Sequence, residues 1–202
     1  MQAARGASLS ATGRPGDPPA GHTVGADPVS ATADRPARAT RLALAVGVTG
    51  LVVDQVTKVL AVRELTGREP VEVLGSFLRL VLVRNPGAAF SAGASITPVI
   101  SVIAIVATVV VLWQVGRVRH RAWALALGLL LAGVTGNLVD RLLRPPGPLR
   151  GHVVDFFALP NWPVFNVADI CINVAGVLLV LLLFRGINPD GTRHDATAEA
   201  AR

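Results

Sequence analysis

Four long apolar stretches, separated by polar segments, dominate the hydrophobic pattern of the chain. They cover approximately residues 42–62, 96–115, 122–143 and 164–184. A helix needs about 20 apolar residues to cross the hydrocarbon core of a bilayer, and each stretch has about this length. The pattern therefore predicts an all-α membrane protein, a bundle of four transmembrane helices.

The composition agrees with a membrane location. Of the 202 residues, 51% are hydrophobic and 16% are charged, with a mean hydropathy of +0.54, which lies outside the usual range of soluble domains. The single cysteine, Cys171, lies within an apolar stretch, and we expect it to be a small buried side chain. One cysteine cannot form a disulfide within the chain.

The ends of the chain differ from its middle. Residues 1–40 are rich in Ala, Gly, Pro, Ser, Thr, Asp and Arg without an apolar period, which predicts a disordered cytoplasmic tail. No apolar core follows Met1, so we do not expect a cleavable signal peptide. Residues 41–185 form the predicted transmembrane domain, and residues 186–202 form a short polar cytoplasmic tail.

Basic residues predict how the helices are oriented, because cytoplasmic flanks collect Lys and Arg. Arginines lie before the first apolar stretch, between the second and third, and after the fourth: Arg35, Arg38, Arg41, Arg117, Arg119, Arg121, Arg185 and Arg193. Both termini are therefore expected in the cytoplasm. The net charge of +6 fits contact with anionic membrane lipids, and no motif suggests a nucleic-acid partner.

The first outer loop has the character of β-structure. Its sequence "VEVLGSFLRLVLVRNPGAAFS" contains β-branched residues, partial alternation and the turn signal Asn85-Pro86-Gly87. We predict a small β-hairpin or sheet at about residues 70–92 on the outer membrane face. It would either cover the helix ends or hold a peptide strand along an extended edge.

Polar residues within the apolar stretches recur at helical spacing, so each set forms one stripe on its helix. These stripes converge in the outer half of the membrane, where a charged side chain usually faces a bundle interior or a water-filled cavity. Internal ion pairs that fix helix packing would also explain the first two stripes. The three stripes are Asp54 with Lys58, then Asn137 with Asp140 and Arg141, then Asn166 with Asp169 and Asn173.

Asp155 and Asp169 differ from the other acidic residues, because neither has a basic residue at helical spacing. Two neighbouring carboxylates in a site of low dielectric cannot both ionise easily, so one holds a proton while the other acts as a base. Such a pair can activate water against an amide carbonyl and then protonate the leaving nitrogen. Spacing alone leaves this as one hypothesis among several.

Five ordered motifs resemble the lipoprotein signal peptidase family, also called signal peptidase II. They are "DQVTK", "RNPGAAFS", "GNLVDRL", "GHVVDFF" and "FNVADI", and the resemblance covers about residues 42–184. It implies an aspartic endopeptidase of the bacterial inner membrane that removes the signal peptide from diacylglyceryl-modified prolipoproteins. Cleavage would fall on the N-terminal side of the lipidated cysteine, with the active site toward the outer face.

The resemblance also implies roles for individual residues. Asp155 and Asp169 would form the catalytic pair, and Asp140 would be structural. Substrate binding or support of the site would fall to Asp54, Lys58, Asn85, Gly87, Asn137, Arg141, Asn166 and Ala168. No cofactor or metal is implied. The expected partners are prolipoprotein substrates and membrane lipids, and the chain is expected to be a monomer.

Other classes of protein use some of the same residue types. A proton-coupled transporter also places Asp, Lys and Arg within the membrane, but usually near the midplane and on broken helices. A metalloprotease has weak support, because His152 and the two aspartates are few candidate ligands for a metal site. A serine peptidase lacks a histidine near Ser76, Ser91 or Ser95. A membrane scaffold without catalytic activity also stays open.

Overall fold

The computed structural model describes residues 30–87 and 96–192, with side chains from residue 38 onward. This part of the chain contains four helices and three strands. The helices are α1 (Ser30–Leu65), α2 (Thr97–Val115), α3 (Arg121–Leu143) and α4 (Val167–Phe184). The strands are β1 (Val71–Leu74), β2 (Leu78–Asn85) and β3 (Val153–Ala158).

All four helices are long and apolar enough to cross a membrane. In α1 the candidate span is Arg38–Leu65, whereas in α2, α3 and α4 it is the whole helix. Their mean hydropathies, in chain order, are 1.5, 2.4, 1.8 and 2.6. The predicted bundle of four transmembrane helices is confirmed.

Helix α3 forms the centre of the bundle and packs against the other three helices. Most of its inward face is made of small residues, which let helix backbones approach closely in a membrane. A Cβ atom on Gly133 would collide with the carbonyl oxygen of Ala168 on α4, and one on Gly136 would lie 2.6 Å from Asp54 Oδ2 on α1. These glycines therefore bring α1 and α4 against the same stretch of α3.

The strands form an antiparallel sheet in the order β1-β2-β3, which confirms the prediction of a small sheet. Its third strand was not foreseen, because "GHVVDFF" follows the long segment "LLRPPGPLR" and lies far along the chain from β1 and β2. Asp155 on β3 is opposite Val83 on β2, and Val153 is opposite Asn85. Since β2 is paired on both sides, the outer strands of the sheet are β1 and β3, and the suggestion that an edge holds a peptide strand stays a prediction.

Residues at both ends of the predicted domain are part of the fold. Helix α1 begins at Ser30, before the predicted boundary at residue 41. Residues 186–192 fold back, so that Pro189 O accepts hydrogen bonds from the backbone N–H groups of Arg119 and His120 at 2.9 and 3.0 Å. The rest of the two predicted tails, and residues 88–95 of the "RNPGAAFS" region, lie outside the described residues.

Candidate active site

Asp155 and Asp169 are linked through one side chain, Asn166. Asp155 lies on β3, and Asp169 lies in the first turn of α4. The Asn166 amide donates to Asp155 Oδ1 at 2.6 Å, while its Oδ1 accepts from the backbone N–H of Asp169 at 3.0 Å. Asp169 Oδ2 in turn accepts from the backbone N–H of Asn166 at 3.1 Å. This capping box starts α4 and also holds the two carboxyl groups beside each other.

The environment of Asp155 favours its protonated form. Its side chain is 2% exposed, and burial raises its pKa from the usual value to about 6, with the charge of Asp169 adding to the rise. Asn85 opposes this by donating to Asp155 Oδ2 at 2.9 Å. The Asn85 side chain is itself fixed, because its Oδ1 accepts from the Gly87 backbone N–H at 2.8 Å.

Asp169 is connected to a buried lysine through Asn137. The Asn137 amide donates to Asp169 Oδ1 at 2.8 Å, and Asn137 Oδ1 accepts from Lys58 Nζ at 2.9 Å. Lys58 is fully buried and forms ion pairs with Asp54 and Asp140, both at 2.9 Å. The ammonium group therefore joins three of the predicted site residues and orients the amide that contacts Asp169.

Asp140 connects this charged cluster to β3. Its Oδ2 accepts from Lys58 Nζ and, at 3.1 Å, from the backbone N–H of Val154, the residue before Asp155. Its Oδ1 pairs with Arg144 Nε at 2.5 Å. The geometry agrees with a structural role for Asp140, because it fixes the strand that carries Asp155.

Asp54 connects the same cluster to the beginning of α4. Its Oδ1 accepts from the Ala168 backbone N–H at 2.8 Å, and its Oδ2 contacts Lys58 and the Gln55 amide. Ala168 is fully buried, and its Cβ would lie 3.1 Å from a Cβ added at Gly136. A larger side chain at Ala168 would therefore push α4, and Asp169 with it, away from α3.

Arg141 points toward the two carboxylates but lacks a complete set of partners. Its Nη1 donates to Asn137 O at 3.3 Å, and its charge interacts with Asp155, Asp169 and Asp140. Its Nε is buried and has no hydrogen-bond partner among the described residues. A buried donor without a partner is costly, so this guanidinium is suited to donate a hydrogen bond to an oxygen atom of a ligand.

A cavity of about 330 Å³ opens beside Asp155. Its walls are largely apolar, and its polar lining residues include Asn85 and Asp155. The other lining residues are Val83, Arg84, Pro86, Pro163 and Val164. This is the size of a cleft that takes a small ligand or a short peptide segment.

Two residues of the site were missed by the sequence analysis. Arg144 follows Asp140 at the spacing of one helical turn, a signal that marks ion pairs on helices. Gln55 contacts both Asp54 and the carbonyl of Gly136 at 3.0 Å, but nothing in its sequence position suggested this. His152 joins no metal cluster, and no group of His, Cys, Asp or Glu within residues 30–87 and 96–192 is placed to hold a metal ion.

The family follows from comparison with known proteins. Residues 46–185 match the family model described as signal peptidase (SPase) II. The chain belongs to the signal peptidase II family. This confirms the predicted peptidase class and decides against a carrier or a scaffold without catalytic activity.

Individual relatives agree with this assignment. A lipoprotein signal peptidase from Mycolicibacterium smegmatis is 49% identical over 156 residues, which cover 77% of this chain and 66% of that protein. One from Mycobacterium avium is 46% identical over 178 residues, covering 87% and 98%. A solved bacterial membrane enzyme, determined by the in meso method at 1.9 Å resolution, has a TM-score of 0.63 at 26% identity, covering 71% of this chain and 92% of its own.

The buried lysine generates the first testable prediction. Lys58→Met leaves Asp54 and Asp140 without the cation that they share, and stranding a buried ion-pair partner costs about 3 to 5 kcal/mol. Thermal unfolding in detergent should show a large fall in Tm. As a matched control, Arg68→Met removes a cation whose pair with Glu64 is exposed and 3.8 Å long, so its Tm should barely change. A wild-type Tm for Lys58→Met would mean that this cluster does not hold the bundle together.

Proposed function

We propose that Asp155 and Asp169 catalyse hydrolysis of the peptide bond that joins the signal peptide to the rest of a prolipoprotein. The observation that carries the proposal is the pair of carboxyl groups joined by Asn166, with Asn85 and Asn137 donating to their outer oxygens. Two carboxyl groups joined by one amide, one of them lining a cavity and having a raised pKa, are the apparatus of an aspartic peptidase.

The two carboxyl groups have different environments, and we assign their roles accordingly. Asp169 lies at the N-terminus of α4, where the helix dipole stabilises a negative charge, so it is the base. Asp155 is buried, which raises its pKa to about 6, so we assign to it the proton that the pair holds below about pH 6. Asp169 accepts a proton from water as the oxygen attacks the scissile carbonyl carbon, and a tetrahedral intermediate forms. Asp155 protonates the leaving nitrogen as the C–N bond breaks.

The remaining polar groups suit the binding of the substrate backbone. The unpartnered Nε of Arg141 offers a donor to a substrate carbonyl or to the developing oxyanion. Asn85 lines the cavity at the end of β2, and the Gly87 backbone N–H donates to its side chain. We therefore retain Arg141, Asn85 and Gly87 as substrate-binding residues, and Asp54, Lys58, Asn137, Asn166 and Ala168 as supports of the site.

The proposed substrate is a prolipoprotein whose cysteine carries diacylglyceryl, cut on the N-terminal side of that cysteine. The relatives described above carry the name lipoprotein signal peptidase, which supports this substrate class. The exposed Trp162 and Leu143 lie on segments that flank the site, and exposed aromatic residues are typical of the membrane interface. An active site at the membrane interface would lie at the same depth as a scissile bond next to a lipid-anchored cysteine.

A substitution series tests the catalytic pair. Asp155→Asn and Asp169→Asn each keep the shape of the carboxyl group but cannot supply the required proton transfer, so cleavage of a lipidated prolipoprotein should fall by at least about 10³-fold. The control is Asp190→Asn, an acidic residue at the far end of the bundle whose carboxylate accepts hydrogen bonds from Thr192 in its own turn. It should cleave at the wild-type rate.

Thermal unfolding of the same variants separates chemistry from folding. Both dyad variants should retain a folded bundle, because asparagine has the shape of aspartate and keeps one of the two acceptor oxygens at each position. Wild-type activity in either folded variant would remove that residue from the catalytic pair.

The pH profile tests the assignment of the proton to Asp155. Below about pH 6 Asp155 keeps its proton and above it the proton is lost, so kcat/KM should fall as pH rises through the apparent pKa of the pair. Asn85→Leu removes a hydrogen bond that stabilises the charged form. The pKa of Asp155 should therefore rise, and the alkaline limb should move upward by about one pH unit. An unmoved limb, or one displaced to lower pH, would contradict the assignment.

We further propose that both termini lie in the cytoplasm and that the dyad faces the outer side of the bacterial inner membrane. The clusters of arginine in the N-terminal part of α1 and between α2 and α3 support this orientation. In a Cys171→Ala background, Ser76→Cys should react with a membrane-impermeant thiol reagent in intact cells, while Asp190→Cys should not. Both positions are exposed, so labelling at 190 but not at 76 would reverse the orientation. A monomeric state stays a prediction.

A further inference from the structure

The N-terminal turn of α2 contacts the segment that holds Asp155, although α2 carries none of the site residues described above. The Thr97 side chain is buried, and its hydroxyl donates to the carbonyl oxygen of Pro86. Pro86 is the middle residue of the turn Asn85-Pro86-Gly87. In this turn the Gly87 backbone N–H donates to Asn85 Oδ1 at 2.8 Å, and the Asn85 amide donates to Asp155 Oδ2 at 2.9 Å. Thr97 therefore attaches to α2 the turn that carries Asn85.

A second contact places the same turn against α2. Gly87 has a φ of +107°, a conformation that favours glycine, and a Cβ atom added to it would lie 2.9 Å from Ile100 Cδ1. Thr97 and Ile100 are three residues apart, so they share one face of the helix. This face of α2 provides both a hydroxyl donor and an apolar surface to the turn.

The sheet fixes the backbone of Asn85 but not the rest of the turn. Asn85 is the last residue of β2 and is opposite Val153 on β3. Its side chain is oriented by the Gly87 N–H, which lies beyond the sheet. Hydrogen bonds weaken steeply as their geometry is lost. A displaced turn would therefore weaken both the contact from Gly87 and the contact from Asn85 to Asp155.

We propose that Thr97 is a positioning residue that aligns the Asn85 amide with Asp155. Its hydroxyl bonds Pro86, and its carbonyl oxygen accepts from Ser101 Oγ at 2.9 Å, so it acts on Asp155 through the turn. The consequence for cleavage rests on the proposed function, in which Asp155 is the acid. The geometric role of Thr97 does not depend on that assignment.

Helix α2 brings no charge of its own to Asp155, because none of its residues is ionisable. The charges that act on Asp155 lie on other elements: Asp169 on α4, Lys58 on α1 and Arg141 on α3. Arg84 of β2 lines the same cavity as Asp155. An uncharged substitution on α2 leaves all of these groups in the chain, so a change in the pKa of Asp155 would report a displaced hydrogen-bond donor.

Titration of the Asp155 carboxyl group tests the proposal independently of cleavage. Carbon NMR of the full chain in detergent, with ¹³C-labelled aspartate carboxyl groups, gives this pKa, and Asp155→Asn assigns the signal by its loss. Burial raises the pKa of Asp155, and the Asn85 hydrogen bond opposes the rise. Thr97→Val removes the hydroxyl and keeps the side-chain shape, so the pKa of Asp155 should rise by about half a unit. Thr97→Ser keeps the hydroxyl and should keep the wild-type value.

Two control variants on α2 are matched to this change. Thr108→Val is the same substitution at a residue whose hydroxyl donates within the helix, to Ala104 O at 2.8 Å. Ser101→Ala removes a fully buried hydroxyl that contacts Leu149 O at 2.8 Å, outside the turn. Both should keep the wild-type pKa of Asp155.

Two further variants test the route through the turn. In an Asn85→Leu background, Thr97→Val should add no further shift, because the donor through which it acts is gone. Ile100→Ala removes the apolar contact with Gly87 and keeps the Thr97 hydroxyl, so it should also raise the pKa of Asp155. If thermal unfolding shows that Thr97→Val does not fold, Ile100→Ala decides the proposal.

The outcomes separate this role of Thr97 from the catalytic assignment. A wild-type pKa of Asp155 in folded Thr97→Val, an equal rise in Thr108→Val, or an undiminished rise in the Asn85→Leu background would each overturn the proposal. A raised pKa in Thr97→Val with an unmoved alkaline limb of kcat/KM would support the role of Thr97 and contradict Asp155 as the acid.

Discussion

The buried ammonium group of Lys58 is the interaction on which the candidate site depends. It lies between Asp54 and Asp140, each at 2.9 Å, and it donates to Asn137 at the same distance. Through these contacts a single cation fixes parts of α1, α3, α4 and β3, because Asp54 binds the Ala168 N–H and Asp140 binds the Val154 N–H. A buried charge is costly without partners. The helices must therefore pack closely enough to bring these partners to Lys58, and the same contacts order the site.

The division of roles that we propose for the two carboxyl groups rests on where the fold places them. Asp169 is in the first turn of a helix and receives donors from Asn137 and Asn166, whereas Asp155 is on a buried strand. Loss of solvent favours the neutral form of Asp155, which supports the proposal that Asp155 is the acid. Asn166 contacts both groups, so a change at this side chain alters the base and the acid together.

The sequence predicted the parts of the molecule that local patterns determine. Apolar length identified the four spans, and helical spacing placed Asp54 beside Lys58 and Asn137 beside Asp140. It did not predict β3, because pairing between Asp155 and Val83 joins segments about seventy residues apart. It also missed Arg144, whose contact with Asp140 depends on how the loop after α3 leaves the helix. The family resemblance identified the two aspartates, but the bridging position of Asn166 needed coordinates.

In the proposed mechanism, water attacks the scissile carbonyl carbon directly, without a covalent intermediate. A single turnover in H₂¹⁸O, with hydroxylamine present, tests it. Direct attack predicts one ¹⁸O atom in the new carboxylate of the released signal peptide and no hydroxamate, because no acyl-enzyme is available for capture. A hydroxamate on the signal peptide, or its trapped ester or thioester on the protein, would contradict the account and require a nucleophilic side chain in place of the Asp155 and Asp169 pair.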